Sequence, residues 1–331
     1  MKTFEGKCGI KVTVLCYSVS PFGVPMITFE IEYPRLILAE LNTHRMLSRN
    51  SFSSRAVPFD KMLLQLNGRP VRFGANQAGM QDKGEDFDAK VKGSWGAAPV
   101  SPEEAWEDAK QLAIGMARNF KEAGYHKQVY NRLLEPFQMM KTVLSATELE
   151  NFWWLRDDDA ADPTIRELAR VMREAMEAAT PQYLKPGEWH LPYIDTYVYA
   201  DGREGVWYGI YDEQDQIVEV TLDEAIKISC ARCAAVSYRN EGYGIAKSIE
   251  VYDRLVGSDK KHASAFEHCA TPMQDKVEAI NREVKYRNIP WQPSTWQPGI
   301  THMDRDYQLW SGNLKGWIQY RKLIPGENYE A

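Results

Sequence analysis

Residues 26–58 read MITFEIEYPRLILAELNTHRMLSRNSFSSRAVP and carry the clearest signals for both fold and chemistry. In Met26–Tyr33 apolar and polar residues alternate, which predicts a β-strand with one buried face. Pro34 suits the first turn of a helix, and we predict that this helix continues through Leu47. The apolar residues that would form its buried face are Leu36, Ile37, Leu41 and Leu47.

The second half of this stretch, Glu40–Pro58, is dense in hydrogen-bonding side chains. Its nineteen residues include one histidine, three arginines, two asparagines and four serines. Arginine presents a fixed fork of donors to phosphate, and small hydroxyl residues let backbone amides come close to a ligand. The block is therefore typical of a site for a phosphorylated, planar substrate. A solvated helix end that runs into a serine-rich loop is the structural alternative.

Composition limits the classes of protein to which the chain can belong. Its 331 residues suffice for two or three domains, or for one large domain with insertions, and 44% hydrophobic residues can form a substantial core. The net charge of −6 argues against a general nucleic-acid coat protein, whose surface would be basic overall. There is no run of about 18 apolar residues and the N-terminus does not read as a secretory signal, so a cytoplasmic protein is expected.

The five cysteines are odd in number and scattered along the chain, which indicates reduced thiols. Cys230 and Cys233 form a C-x-x-C pair, but no second pair completes a zinc site. No metal is therefore expected.

Outside residues 26–58 the sequence predicts a mixture of strands and helices. A first strand is predicted over Lys11–Tyr17. Ser101 followed by Pro-Glu-Glu is a helix start, and this helix is predicted to end near Gly124. Further helices are predicted over Thr147–Leu155, Pro163–Ala179, Leu222–Ala234 and Ile245–Gly257.

Three other segments have less regular patterns. Residues 67–101 are rich in Gly, Asn, Gln and Asp and are predicted to form a surface excursion. Asp195–Val220 alternates and is predicted to form a hairpin that turns at Asp201-Gly202. The tail from Asn288 onward is predicted to be loop-rich.

Four short segments group polar and charged side chains closely. They are Asn131–Pro136 (NRLLEP), Asn151–Arg156 (NFWWLR), Ala234–Tyr238 (AAVSY) and His262–His268 (HASAFEH). Taken singly, each has a structural explanation, with the arginines as surface ion-pair residues and the histidines as ordinary loop residues.

Taken together, these segments resemble the flavin-dependent thymidylate synthases (the ThyX type), particularly the longer form found in bacteriophages. That family has an Arg-His-Arg motif and then a serine two residues before an arginine, and Thr43-His44-Arg45 and Ser53-Ser54-Arg55 have the same spacing. The family's Ala-Arg-x-x-Leu-Pro, Leu-Arg, Ala-Arg-Val-Ser-Tyr and His-x-Ser/Thr-Pro-Phe-Glu-His motifs resemble the four short segments in turn. This combination is highly specific.

The order of the motifs differs from that of the family, in which the Phe-Glu-His segment precedes the Arg-His-Arg helix. Here His262–His268 comes long after His44. Ser20-Pro21-Phe22 has the place of the missing N-terminal copy, but Gly23 and Val24 stand where Glu and His are expected. We interpret this order as a circular permutation or segment exchange, which folding tolerates when the chain ends lie close together. A coincidence of turn residues at the N-terminus is the alternative.

Three positions depart from the family pattern near the implied ligands. Thr43 replaces the first arginine of the motif, Glu40 replaces a glutamine that touches the nucleotide, and Ser51 replaces a glutamate near the flavin. Loss of an arginine weakens the grip on an anion, and a glutamate beside a pyrimidine changes the available hydrogen bonds. These changes leave the exact substrate open.

The resemblance implies conversion of dUMP to dTMP, with methylenetetrahydrofolate as carbon donor and NADPH as the reductant of an FAD cofactor. Arg156, Ser53 and His44 would be the catalytic residues, with Arg156 polarising the uracil ring at N3 and O4. Ser53 has the position of a nucleophile. Because no adjacent base is evident to activate it, substrate binding is the favoured role.

The resemblance also implies two sets of binding residues. Those implied to bind dUMP are Glu40, Ser53, Ser54, Arg55, Arg132 and Arg156, with Arg55 and Arg132 on the phosphate. Those implied to contact FAD are Thr43, His44, Arg45, Asn151, Ser237, His262, Ser264 and Glu267. No glycine-rich dinucleotide fingerprint is present, so FAD is expected without a Rossmann fold.

The implied fold is α/β (α+β), with a mostly antiparallel central sheet flanked by helices in one catalytic unit over 1–331. Residues 20–66 and 125–180 would carry the substrate and flavin motifs, and 228–270 the displaced flavin-binding segment. Family members are homotetramers with shared active sites. The expected partners are therefore a nucleotide substrate and further copies of the chain, with no stable nucleic acid and no membrane, in the host cytoplasm if the protein is phage-encoded.

Two other functions stay open. One is a non-catalytic nucleotide or nucleic-acid binding protein that uses the Glu40–Pro58 block, although the acidic net charge counts against it. The other is a related pyrimidine C5-modifying enzyme, such as a dUMP hydroxymethylase or a dCMP methylase, which the changes at Glu40 and Thr43 motivate.

Overall fold

The structure is a computed structural model that describes residues 2–78, 84, 87–93, 98–201, 204–212, 214–238, 244–274 and 296–328. Its strands are β1 (Thr3–Glu5), β2 (Lys11–Val19), β3 (Pro25–Pro34), β4 (Ser48–Ser51), β5 (Met139–Ala146), β6 (Gln182–Tyr183), β7 (Asp195–Val198), β8 (Val206–Tyr211), β9 (Ile217–Val220), β10 (Ala270–Pro272), β11 (His302–Met303), β12 (Leu309–Ser311), β13 (Leu314–Lys315) and β14 (Trp317–Gln319).

The α-helices are α1 (Leu38–Thr43), α2 (Phe59–Leu63), α3 (Pro102–Glu122), α4 (Lys127–Tyr130), α5 (Glu150–Arg156), α6 (Pro163–Glu177), α7 (Leu222–Ala235) and α8 (Ile245–Gly257). Short 3-10 helices cover Lys7–Gly9, Arg35–Ile37, Asn131–Phe137, Val236–Tyr238, Ala263–Glu267 and Tyr320–Leu323. Within the described ranges, no helix is both long enough and apolar enough to span a membrane.

The central sheet has six strands in the order β1-β2-β3-β5-β4, with β6 added beside β2. Among the described strands of this sheet, β6 and β2 pair in parallel and all other neighbours pair antiparallel. The sheet is therefore mostly antiparallel and is flanked by helices, as the sequence predicts. The predicted strands over Lys11–Tyr17 and Met26–Tyr33 are confirmed as β2 and β3.

The two faces of β3 contact different layers because its side chains alternate. Phe29, Ile31 and Tyr33 are fully buried in the main core, which they share with Ile165 and Leu168 of α6. The opposite face of the sheet is covered by α7 and the residues around it, which pack on Val143 of β5. The sheet is thus an inner layer with helices on both sides.

A row of buried polar side chains crosses this second face. His190 lies within hydrogen-bond distance of Ser18 and Thr28, with Nδ1 2.9 Å and Nε2 2.8 Å from their hydroxyl oxygens. Thr28 contacts Ser145 at 2.6 Å, and Ser145 contacts Nδ1 of His268 at 2.8 Å. Burial lowers the pKa of both histidines to about 3, because an imidazolium would lose its hydration there.

The predicted helix from Pro34 through Leu47 is wrong in its second half. A 3-10 turn and α1 end at Thr43, where His44 takes a non-helical ψ of 83°. The guanidinium of Arg49 donates to the carbonyl oxygens of Leu41 at 2.9 Å and His44 at 2.6 Å, which caps the end of α1. The chain then turns and pairs with β5 as β4, so tertiary pairing overrides the helical pattern.

Most of the other predicted helices are confirmed with shifted ends. The helix after Ser101 has the predicted capping box and ends at Glu122, and α6, α7 and α8 lie where the sequence predicts them. The helix predicted from Thr147 begins only at Glu150, because Thr147 instead uses its hydroxyl to accept a hydrogen bond from the backbone of Lys315.

Two predictions on irregular segments need correction. Residues 195–220 form three antiparallel strands, β7 to β9, rather than one hairpin, because a second turn near Asp215 returns the chain once more. The predicted turn residue Gly202 lies outside the described residues. The tail contains four short strands, β11 to β14, where a loop-rich segment was predicted, and buried Trp317 and Leu314 anchor it to the body.

The segment 67–101 is described only in part. Its beginning is anchored by Gly68, whose carbonyl accepts a hydrogen bond from the indole of Trp106, and by Val71, whose amide donates to Thr164.

Candidate active site

The residues of the Arg-His-Arg-like motif meet Arg156 at the end of two short helices. Arg156, the last residue of α5, donates from Nε to Nε2 of His44 at 2.9 Å and from Nη2 to the hydroxyl of Thr43 at 3.3 Å. His44 follows the last turn of α1. Residues more than a hundred positions apart therefore converge, and the planar guanidinium is oriented by two acceptors.

His44 is held as a neutral hydrogen-bond acceptor. Its ring is buried and packs edge-on against Phe152 of α5, with 5.0 Å between the ring centroids. Burial, and after it the positive charges of Arg156 and Arg49, hold the pKa of His44 below its ordinary value. A neutral imidazole with a free Nε2 lone pair is the form that can accept from Arg156.

A cleft of about 210 Å³ is lined mainly by residues of the Glu40–Pro58 block. Ser53, Ser54, Arg55 and Arg132, all predicted to bind the substrate, face the same space. Arg55 and Arg132 are exposed. The two exposed guanidinium groups together with the hydroxyl of Ser53 can hold a phosphate.

The cleft is also connected to the Arg156 corner through α1. Asn42 lines the cleft, and its neighbour Thr43 contacts Arg156. The carbonyl oxygen of Asn42 lies 3.5 Å from Nη2 of Arg49. The cleft and the Arg156 corner therefore use consecutive residues of α1.

Arg35 and Glu135 line the cleft as an ion pair that the sequence did not single out. Nη2 of Arg35 lies 3.1 Å from Oε1 of Glu135, and the same carboxylate oxygen accepts from the hydroxyl of Ser54 at 2.6 Å. Ser54 is thus already engaged with a carboxylate. Glu135 belongs to the segment Asn131–Pro136, and its place in that segment was the sequence feature from which its role could have been predicted.

Asn131, from the same segment, is a structural support rather than a ligand-binding residue. It is fully buried, and its Nδ2 donates to the carbonyl oxygens of Ser54 at 2.9 Å and Val57 at 3.0 Å. These bonds fix the backbone on both sides of Arg55. The motif therefore supplies Arg132 to the cleft and Asn131 to the loop that carries Arg55.

The displaced segment lies directly against β4. Ser264 donates to Oδ1 of Asn50 at 3.2 Å, and Nδ2 of Asn50 donates to the carbonyl of Cys233 in α7. The carbonyl of Ser237 accepts from the amide of Ser53 at 3.2 Å. Ser237 and Ser264 are thus brought to the block that carries His44 and Ser53.

The other residues predicted to contact the flavin are either exposed or paired with another residue of the protein. Arg45, Asn151 and His262 are exposed at the surface. Glu267 is half-buried, and its Oε1 forms an ion pair of 2.5 Å with Nη1 of Arg321, a residue from the C-terminal segment. The structure therefore gives Glu267 a protein partner that the sequence did not predict.

Glu40 lies one helical turn before Thr43 and His44, so it shares their side of α1. Its Oε2 atom is buried, and within the described residues it has no hydrogen-bond partner. A buried carboxylate oxygen without a donor is costly in free energy, which points to a donor supplied by a ligand.

Residues 20–24, where the family has its Phe-Glu-His segment, form a hairpin turn between β2 and β3. The amide of Gly23 donates to the carbonyl of Ser20, and Gly23 has a positive φ of 75° with open space around it. Val24 accepts from the indole of Trp317 through its carbonyl. Turn geometry accounts for these residues.

A larger cleft of about 1270 Å³ lies between the 71–103 region and the start of α6. Its arginines are paired within the protein, Arg166 with Asp159 and Arg170 with Glu167. These ion pairs neutralise the charge of both arginines. The larger cleft shares no lining residue with the smaller one. No group of His, Cys, Asp and Glu side chains within the described ranges is arranged to hold a metal ion.

Comparison with known proteins gives one family. The profile of the thymidylate synthase complementing protein family matches residues 17–182, which is half of the chain and includes the Arg156 corner and the cleft. No curated protein matches the chain.

Proposed function

The chain belongs to the thymidylate synthase complementing protein family, and from this premise we propose that it converts dUMP to dTMP with FAD, NADPH and methylenetetrahydrofolate. The observation that carries the proposal is the Arg156 guanidinium, oriented by His44 and Thr43 beside a cleft rich in phosphate-binding groups.

The cleft would hold the 5′-phosphate of the nucleotide. Arg55 and Arg132 supply charge-assisted hydrogen bonds, and Ser53 supplies a hydroxyl that is not the donor to Glu135. A nucleophilic Ser53 would need a neighbouring base, but the carboxylate of Glu135 accepts from Ser54 instead. This supports substrate binding rather than covalent attack as the role of Ser53.

Arg156 would activate the pyrimidine ring. Carbon 5 of uracil becomes nucleophilic when negative charge accumulates on the ring, and a fixed guanidinium at N3 and O4 stabilises that charge. His44 and Thr43 would keep this guanidinium in one orientation before substrate arrives, which is the preorganisation that electrostatic catalysis requires.

The residues present fit a planar, anionic cofactor. Arg45, just after α1, and Asn151, the second residue of α5, are exposed, and Trp154 of α5 exposes 75% of its surface although tryptophan is highly buried on average. Ser237 and Ser264 would add polar groups from the displaced segment. A bound flavin would supply the hydride chemistry, while these residues would bind and orient it.

The small volume of the cleft supports a shared active site. Ligand pockets usually enclose roughly 300–1,000 Å³, and the cleft in a single chain, about 210 Å³, is smaller than that. A second copy of the chain that closes over the cleft would complete the pocket, as expected for a homotetramer.

The proposal is tested with the purified protein, dUMP, methylenetetrahydrofolate, FAD and NADPH. We expect a yellow protein with flavin absorbance and formation of dTMP, detected by mass spectrometry. A colourless protein that binds dUMP without turnover would instead indicate a non-catalytic nucleotide-binding protein.

The unpartnered oxygen of Glu40 favours a second candidate, a C5-modifying enzyme acting on dCMP. A carboxylate accepts hydrogen bonds, and the exocyclic amino group of cytosine is a donor at the position where uracil has the acceptor O4. If Glu40 faces the base, cytosine would satisfy it better than uracil.

Offering dCMP and dUMP in turn to the wild-type protein and to Glu40→Gln separates the two candidates. A dCMP enzyme should lose its preference for cytosine in the Gln variant, because the amide can also donate to O4 of uracil. Turnover of dUMP alone by the wild type, with methylated product, excludes the second candidate.

A further inference from the structure

The C-terminal segment contacts three separate parts of the candidate active site, although it lies outside the residues that match the family. We name residues 311–321 the C-terminal clamp. The clamp contains the turn between β12 and β13, the strands β13 and β14, and the first residues of the following 3-10 helix.

The first contact is with the turn that follows His44. Asn313 donates from Nδ2 to the carbonyl of Met46 at 3.0 Å, and its Oδ1 accepts from the hydroxyl of buried Ser48 at 3.1 Å. Gln319 donates to the same Oδ1 at 3.0 Å, which fixes the orientation of the Asn313 amide. Asn313 therefore bonds both the turn that follows His44 and the first residue of β4.

The second contact is with the residues that lead into α5. The backbone amide of Lys315 donates to the hydroxyl of Thr147 at 3.0 Å, and its ammonium lies 2.7 Å from Oε1 of Glu148. Arg156 is at the far end of this seven-residue helix. A short helix that is fixed just before its first residue presents its last residue in a defined position.

The third contact is with the displaced segment. Arg321 pairs with Glu267 through Nη1 and with Glu327 through Nε, both at 2.5 Å. The amide of Tyr320 donates to the carbonyl of Cys269 at 2.9 Å. The clamp thus contacts the end of the segment that carries Ser264.

From these contacts we propose that Asn313 is a positioning residue, which holds His44 and Arg156 in register through the C-terminal clamp. The three contacted parts come from distant places in the sequence and meet only at the site, so the clamp sets their relative placement. The inference rests on the proposed function where it concerns turnover, but the geometry it predicts can be measured in the ligand-free protein.

The test uses the full chain with Asn313→Ala, and Asn313→Asp as a second variant that keeps the acceptor for Ser48 and Gln319 but removes the amide donor to Met46 and Ser48. Asp304→Asn is the matched control, because Asp304 lies in the same C-terminal segment but bonds the residues 306–310 around its own turn. Thermal unfolding establishes that each variant is folded.

The first measurement is the NMR titration of His44 without ligands, assigned with the help of His44→Gln. When the turn is released, Arg156 can move away and water can reach the ring, so the pKa of His44 should rise towards its ordinary value in the Asn313 variants and stay low in Asp304→Asn. The second measurement is kcat/KM for dUMP, which should fall by roughly 10- to 100-fold, mostly in kcat.

Unchanged titration of His44 and unchanged kcat/KM in folded Asn313 variants would overturn the proposal. So would equal losses in the Asp304→Asn control, which would indicate a general effect on stability. If the wild type has no turnover, the proposed function fails, while the NMR titration still decides whether the clamp positions His44.

Discussion

The Nε2 atom of His44 accepts a hydrogen bond from Nε of Arg156 at 2.9 Å, across 112 positions of sequence. The contact requires the neutral imidazole, since a protonated ring has no lone pair to offer. Burial and the two nearby arginines keep the pKa of His44 low, so the contact and the charge state support each other.

We predict that Arg156→Lys keeps the fold but loses most turnover. An ammonium group retains the charge but cannot donate in fixed directions to both His44 and Thr43 while facing a planar base. The loss in kcat should correspond to about 2–4 kcal/mol, as for removal of one preorganised donor. Arg305→Lys, which changes an exposed arginine of the C-terminal segment, is the control and should behave as the wild type. Near-normal turnover in Arg156→Lys would remove this residue from the active site.

Binding of the phosphate should depend on Arg55 and Arg132. We predict that Arg55→Gln and Arg132→Gln each raise the Kd for dUMP by roughly 10- to 100-fold, because each removes one charge-assisted contact of about 1.5–3 kcal/mol. Calorimetry with dUMP and with deoxyuridine provides the comparison, since the nucleoside lacks the phosphate. Arg305→Gln, an exposed arginine elsewhere, is the control. An equal effect on both ligands would show that these arginines do not contact the phosphate.

The sequence predicted the parts of the fold that depend on local pattern. The alternation in β3 and the capping box of α3 are visible in the residues themselves, and both are confirmed. The end of α1 could not be predicted this way. His44–Leu47 continues the helical pattern, but Arg49 caps the helix and β5 recruits the following residues into the sheet, and both effects depend on tertiary contacts.

The same limit applies to the site. The Glu40–Pro58 block was singled out from residue type and Arg132 from the family resemblance, and the structure brings Ser53, Arg55 and Arg132 to one cleft. The bond between Ser264 and Asn50 places the displaced segment beside β4, a position that the motif itself did not predict. Asn313 gave no signal, because an asparagine in a Gly-Asn turn is usual in any loop and only its distant partners give it a role.

The displaced segment can be tested through cofactor retention. We predict that Ser264→Ala and Glu267→Ala lower the amount of FAD that remains bound after gel filtration, because both remove polar groups from the segment. Glu267→Ala also frees Arg321 from one of its two carboxylates, so Arg321→Gln is measured alongside to separate the two effects. Gly23→Ala is the control, since a positive φ makes this substitution affect stability alone. Full flavin in Glu267→Ala with loss in Gly23→Ala would show that the N-terminal turn is the true cofactor segment.

The buried histidines predict how stability depends on pH. In the unfolded chain the pKa of His190 and His268 is near 6.5, and in the folded chain it is about 3, so between these values the unfolded state binds more protons. Stability is therefore complete above about pH 6.5 and falls as the pH decreases through this window. At pH 5.5, one unit below the unfolded pKa, the two histidines together should lower the free energy of unfolding by roughly 3 kcal/mol relative to pH 7.5.

Urea unfolding at pH 7.5, 6.5 and 5.5 measures this loss above the range in which carboxylates titrate. His190→Gln should reduce the slope by about one proton, because one of the two imidazoles of this row is then absent. His302→Gln, which changes an exposed histidine, is the control and should keep the slope of the wild type. A free energy of unfolding that stays constant from pH 7.5 to 5.5 would mean that both buried imidazoles take up protons in the folded protein, and the hydrogen-bonded row beneath the displaced segment would need a different description.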